Sequence, residues 1–319
     1  MNQRSAATLH AVAMFAACFS VVLTAIITAI RLATGGSAHL SVMLGSYAAW
    51  LPLALLTKGL LAYAWAQHEV ERGQRPWCLY PAKTVLKLAL ILTLASFLIS
   101  MALAPLNAAY IRWLMESSVL RPLGWWAALP LLKTAGMELL SLAVDWFALV
   151  VGLRVANERE VGVPTRMTDA MPAARWWFAA AFFVLFTVFL SNASGASIRL
   201  LGSPAGTLHV MFYTLLPAAL AFACARYMLR KPSPMMQPLR LAACAGVVAL
   251  LSAAVIVVVP VLMYLLMVAL NSSFSGASAG TFAISVALLV LPVFPLAAFA
   301  LWRYRANLPV MGFSASAAE

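Results

Sequence analysis

Runs of about 18 or more consecutive apolar residues recur along the whole of this chain, and a run of that length is what an α-helix needs to cross the hydrocarbon core of a bilayer. Eight can be delimited, at roughly 9–30, 40–66, 84–105, 124–153, 174–192, 206–228, 241–269 and 281–302. The connections between them are too short to hold a further folded unit. The sequence therefore predicts an all-α, polytopic integral membrane protein of eight transmembrane helices, a single membrane domain over 1–319 with no soluble domain. Composition agrees: 64% of the residues are hydrophobic and 9% charged, mean hydropathy is +0.95, and soluble domains carry about 25% charge. The first run is longer than a signal-peptide core of 7–15 residues and reads as a span, not a cleaved leader.

The net charge of +12 is explained by where the bases sit. Of 21 Lys and Arg residues, fifteen flank alternate connections or the termini, and only Arg31, Arg112, Arg121 and Arg199 lie on the opposite side. Lys58 and Lys133 fall inside apolar runs. That asymmetry is the positive-inside pattern and predicts cytoplasmic N- and C-termini, with a secondary attraction to anionic headgroups. No basic segment has the length or aromatic interleaving that nucleic acid requires, so the expected surroundings are the lipid bilayer, with no nucleic-acid partner. The expected location is a plasma membrane, the inner membrane of a bacterium. None of the four cysteines, Cys18, Cys78, Cys224 and Cys244, falls in an outer loop, and no disulfide framework is implied. Trp65, Trp77, Trp176, Trp177 and Trp302 near one predicted interface, and Trp113, Trp125 and Trp126 near the other, suggest an aromatic belt.

Each even-numbered run contains Leu-Pro, with the prolines at Pro52, Pro130, Pro217 and Pro292, spaced by 78, 87 and 75 residues. The ends of runs 2 and 4 read HEVERG (68–73) and NEREVG (157–162), and the ends of runs 6 and 8 read RYMLRKP (226–232) and RYRANLP (303–309). These recurrences suggest four helical-hairpin repeats, paired into parallel halves 1–160 and 161–319. A mid-helix proline removes a backbone hydrogen bond and kinks its helix, so the four prolines are expected as kinks that surround a polar space or shape the packing. Between runs 3 and 4, NAAYIRWLMESSVLRP (107–122) shows helical periodicity and is expected as a separate helix lying on the outer interface.

The informative stretch is LPLLKTAGMELLSLAVDWF, Leu129 to Phe147, which places Lys133, Glu138 and Asp145 in one apolar run. A charge at a helix centre costs about 2.5–3.5 kcal/mol to insert, so three in one run call for partners, protonation or water. Glu138 and Asp145 are seven residues apart and Ser141 lies between them on the same face, a polar stripe about 10 Å long. Lys133 points away, near the outer surface, where it can snorkel. Lys58 of run 2 lies at a matching depth, which predicts a Lys58–Asp145 ion pair. Intramembrane ionisable residues are by default suspected of serving substrate paths or proton relays. The expected function is accordingly a secondary carrier, permease-like, of a small molecule or ion, its site formed by Lys58, Glu138, Ser141 and Asp145. The competing class is a non-catalytic membrane subunit whose buried charges fix helix register or meet a membrane-protein partner.

Other chemistry lacks its residues. The four histidines show no paired metal spacing, and no phosphate loop or dinucleotide fingerprint is present, so neither metal, cofactor nor catalytic residue is assigned. The two Gly-Ala-Ser triplets fall in outer loops and not on a helix facing a histidine, the arrangement a serine nucleophile needs.

Overall fold

The computed structural model describes residues 7–34, 40–72, 77–78, 80–116, 128–156, 172–193, 204–230, 236–269, 287 and 291–306. Eight helices are described, each within or overlapping one of the apolar runs: α1 (Leu9–Thr34), α2 (Leu40–Glu71), α3 (Pro81–Glu116), α4 (Ala128–Ala156), α5 (Pro172–Ala193), α6 (Pro204–Met228), α7 (Pro238–Ala269) and α8 (Val293–Ala306). Five of them contain segments long and apolar enough to cross a membrane: Leu9–Arg31, Pro81–Tyr110, Gly136–Val155, Ala173–Leu190 and Pro238–Val255. The chain is all-helical and membrane-embedded in character. A two-residue antiparallel bridge, β1 (Ala7–Thr8) with β2 (Trp77–Cys78), pairs Ala7 with Cys78 and Thr8 with Trp77 and ties the start of α1 to the link between α2 and α3.

Helix α5 is the interior of the bundle. Its spanning segment is 72% buried, whereas the other four lie between 17% and 33%. The reason is visible in its composition. Ala-rich and Phe-rich on every side, it has no polar face to turn outward, and such a helix is stable only when surrounded by others. Phe178, Phe182, Phe183 and Phe186 are fully buried, and α5 touches α2, α4, α6 and α7. Helix α3 is the opposite case. Leu86, Leu90, Leu94 and Leu98 form an exposed stripe at four-residue intervals, a surface too apolar for water and suited to lipid tails.

Within 1–160, α1 packs on α2 and α3, and α4 on α3 and α2; within 161–319, α5 packs on α6 and α7, and α8 on α7 and α6. The groups meet where α5 touches α2 and α4, and where α6 touches α2. Small residues set the closest approaches. A Cβ on Gly152 of α4 would lie 2.5 Å from Leu88 Cδ1 of α3, and one on Gly59 of α2 would lie 3.2 Å from Cys18 Sγ of α1.

Three expectations are corrected. Only Pro52 and Pro217 of the four repeated prolines lie inside helices. Pro130 is the third residue of α4 and Pro292 is in the turn before α8. A helix start has backbone N–H groups without intrahelical partners, so proline costs nothing there and no kink follows. An interior proline that the Leu-Pro pattern did not pick out, Pro105, lies in α3. Second, residues 107–116 continue α3 through that proline and are not a separate interfacial helix; 117–122 lie outside the described residues. Third, Trp65 and Trp177 are each 3% exposed and pack on one another, so they belong to the core and not to an aromatic belt. The NEREVG segment, 157–162, lies outside the described residues.

Candidate functional site

The site gathers where the four helices of the first group converge. Lys58 Nζ of α2 stands 2.9 Å from Asp145 Oδ2 of α4. It also donates to Ser96 Oγ of α3 at 3.0 Å, and that hydroxyl donates to Asp145 Oδ1 at 2.9 Å. The three side chains close a ring in which both carboxylate oxygens accept a charge-assisted hydrogen bond. Two of the three ammonium N–H bonds are used. The helices can come this close because their facing positions are small: Ala17, Gly59 and Ala62 between α1 and α2, and Gly152 between α4 and α3.

Beside the pair lies a cavity of about 20 Å³, lined by Ala17, Ser20, Lys58, Leu61, Ala62, Leu92, Asp145 and Leu149. That is room for one water-sized occupant. Its polar wall is the ion pair and Ser20, whose hydroxyl donates to Ala17 O at 2.8 Å.

Beyond the cavity, toward the C-terminal end of α2, the helix packing becomes aromatic. Trp65, one to two turns beyond Lys58, meets His68, Trp146 and Trp177 edge-on, with ring centroids 5.1, 5.3 and 5.3 Å away. Trp177 Nε1 donates to Pro238 O at 2.8 Å, whereas Trp65 Nε1, Trp146 Nε1 and His68 Nδ1 are buried without hydrogen-bond partners. Burial, reinforced by the neighbouring Arg72 charge, pushes the His68 imidazole down to a pKa of about 4, so it is neutral at physiological pH. Next to it, Glu71 reaches across to the second group of helices and accepts the backbone N–H of Ala173 at 2.8 Å. This caps the start of α5. Burial raises the Glu71 pKa against the opposing pull of that hydrogen bond and of Arg175.

Of the four residues singled out from the sequence, Lys58 and Asp145 are brought together. Glu138 and Ser141, two turns and one turn earlier on α4, are half-buried and do not line the cavity. The Lys133 side chain lies outside the described residues. Sequence reasoning missed Ser96 and Ser20. The only signal for them was a serine hydroxyl in an otherwise apolar run, and such serines also satisfy themselves on their own helix, as Ser100 does by donating to Phe97 O. Among the described residues, no group of three or more His, Cys, Asp and Glu side chains could hold a metal ion.

Compared with known protein families, curated proteins and solved structures, the chain matches none of them.

Proposed function

We propose that this protein is a secondary carrier, a permease-like transporter of a small molecule or ion. Its eight helices would cross a plasma membrane with both termini in the cytoplasm, and Lys58 and Asp145 would form the core of its binding site. The observation that carries the reading is the cavity: the ion pair faces a space with room for one water-sized occupant, and does not close wholly on protein. Buried charges in bilayers are costly and characteristically line such paths. Ser96 then positions both charges, and Ser20 supplies the facing polar wall. Ser141 and Glu138 extend the polar stripe one and two turns along α4, on the route an occupant would follow. The matching neighbour patterns of α1–α4 and α5–α8, together with the repeated sequence signatures, support two parallel half-repeats, of which the first bears the charges.

A second reading draws on the same hydrogen bonds. They link α2, α3 and α4 directly, which is what a membrane subunit needs to hold a docking surface for a partner. One experiment separates the two: purification of tagged protein in mild detergent, with mass spectrometry of everything that elutes in stoichiometric amount. The carrier reading expects a solitary polypeptide. It further expects any retained small molecule to be lost from an Asp145→Asn variant that elutes as a folded, monodisperse protein. A second polypeptide, released by the same substitution, would overturn it in favour of the subunit.

A further inference from the structure

The chain has nine acidic residues, and eight of them precede residue 170; from 170 to 318 there is none, while eight Arg and Lys residues fall in the same stretch. The positive-inside pattern does not account for this. It depends on Lys and Arg, and Asp and Glu contribute little to it. The first group of helices satisfies the same asymmetry with acids interspersed, as Glu69, Glu71 and Arg72 show. A stretch of chain without acids is the pattern expected where a negatively charged partner must approach; in space, Glu71 of α2 reaches only the start of α5, and the bases at the ends of α6 and α8 come from the acid-free stretch.

Six of those bases, Arg175, Arg226, Arg230, Arg240, Arg303 and Arg305, lie among the described residues, at the start of α5, the end of α6, the start of α7 and the end of α8. Arg175 of α5 donates to Leu229 O, just past α6, at 3.1 Å. Arg305 of α8 donates to Met228 O, at the end of α6, at 2.9 Å. Gln237, just before α7, donates its backbone N–H to the Tyr304 hydroxyl of α8 at 3.1 Å. The start of α5, the end of α6, the start of α7 and the end of α8 are thus fastened together. From this end Arg226, Arg230 and Arg303 are exposed, flanked by Tyr227 and Trp302, 69% and 54% exposed. Arginine's planar fork matches phosphate oxygens, and exposed Tyr and Trp are the side chains that settle at headgroup level.

We propose that this end of α6–α8 is a binding site for the phosphate headgroup of an anionic glycerophospholipid. Arg226, Arg230 and Arg303 hold the headgroup, and Tyr227 and Trp302 flank it at the glycerol and acyl boundary. The site is independent of the transport reading, since it involves neither Lys58 nor Asp145.

The test uses the full chain, purified in detergent and stripped of lipid. Phosphatidylglycerol, phosphatidylcholine and inorganic phosphate are the probes, and lipid retention by native mass spectrometry and the shift in melting temperature are the readouts. Phosphatidylglycerol should bind and stabilise, and phosphatidylcholine should not. Each basic residue near an anionic surface is worth about fivefold in affinity, so Arg226→Gln, Arg230→Gln and Arg303→Gln together should weaken binding about 100-fold. A matched set in the first group, Arg72→Gln, Lys87→Gln and Arg154→Gln, should leave it within a few-fold. Equal losses in both sets, or equal binding of phosphatidylcholine, would overturn the proposal in favour of diffuse charge. Displacement by millimolar phosphate would overturn the lipid assignment in favour of a free anion. Should the triple variant fail to fold, Arg230→Gln and Arg303→Gln singly, each expected to cost about fivefold, decide the matter.

Discussion

Lys58 and Asp145, 87 residues apart in the chain, meet at 2.9 Å with the Lys58 side chain 24% exposed and that of Asp145 7%. A pair this enclosed is costly to form and more costly to break, because removing one partner strands the other charge away from water. Lys58→Met and Asp145→Asn should each destabilise the protein by about 3 kcal/mol, the lower end of the range for buried pairs given the partial exposure of Lys58. Thermal melts in detergent measure this. The exchanged pair, Lys58→Asp with Asp145→Lys, should recover part of the loss; no recovery would mean that the two residues act separately.

Ser96 should behave as part of the same unit. Ser96→Ala removes one hydrogen bond to each charge, at a cost of about 1–3 kcal/mol. In an Asp145→Asn background the further cost should shrink clearly, since contacting residues are not additive. Full additivity in the double-mutant cycle would show that Ser96 does not couple to Asp145.

The α3–α4 contact offers a steric test. Leu88, fully buried, stands 2.5 Å from where a Cβ on Gly152 would lie, with Ile91 Cγ2 at 3.5 Å behind it. Gly152→Ala should therefore cost about 1–3 kcal/mol by overpacking, and Leu88→Val should relieve it. Gly136→Ala on the same helix meets nothing within 4 Å and should be neutral or slightly stabilising, as alanine is the better helix former. The two melting temperatures, compared directly, check the contact.

His68 gives the protein an acid-sensitive point beyond the apolar run of α2. Its folded pKa of about 4 lies below the ordinary 6.5, so between those values the unfolded chain binds the proton more tightly. Stability is then intact above about pH 6.5 and declines as pH falls toward 4, by a total on the order of 3 kcal/mol. Glu71 acts with the opposite sign. Its raised pKa means the folded state takes up a proton more readily and gains stability as pH falls. His68→Gln should flatten the decline between pH 6.5 and 4 while leaving the Glu71 contribution; an unchanged profile would place the acid sensitivity elsewhere.

The first group's ion pair was legible because two facts suffice for it: a charge in lipid must find a partner, and helical rise converts sequence offset into depth. Ser96 was not legible, because depth alone does not say which of several serines faces the pair. That depends on how α3 is rotated against its neighbours. Trp65 and Trp177 were misjudged for a related reason. Their distance from the helix ends fits a headgroup belt, but they turn inward toward α4 and toward each other. Pro130 shows the limit of reading helix ends from hydropathy, since a start at Ala128 turns an expected kink into an ordinary first-turn residue.

What the sequence determined by itself was that the apolar runs are helical. An apolar run of spanning length, with no water to satisfy its backbone, has to bond its own N–H and C=O groups within the segment, so local composition is enough. Which faces meet was decided only by the tertiary structure. Contacts between helices depend on rotation about each axis and on side-chain volume at a few facing positions, such as Gly59, Gly152 and the phenylalanines of α5, and these are set jointly by segments distant in the chain.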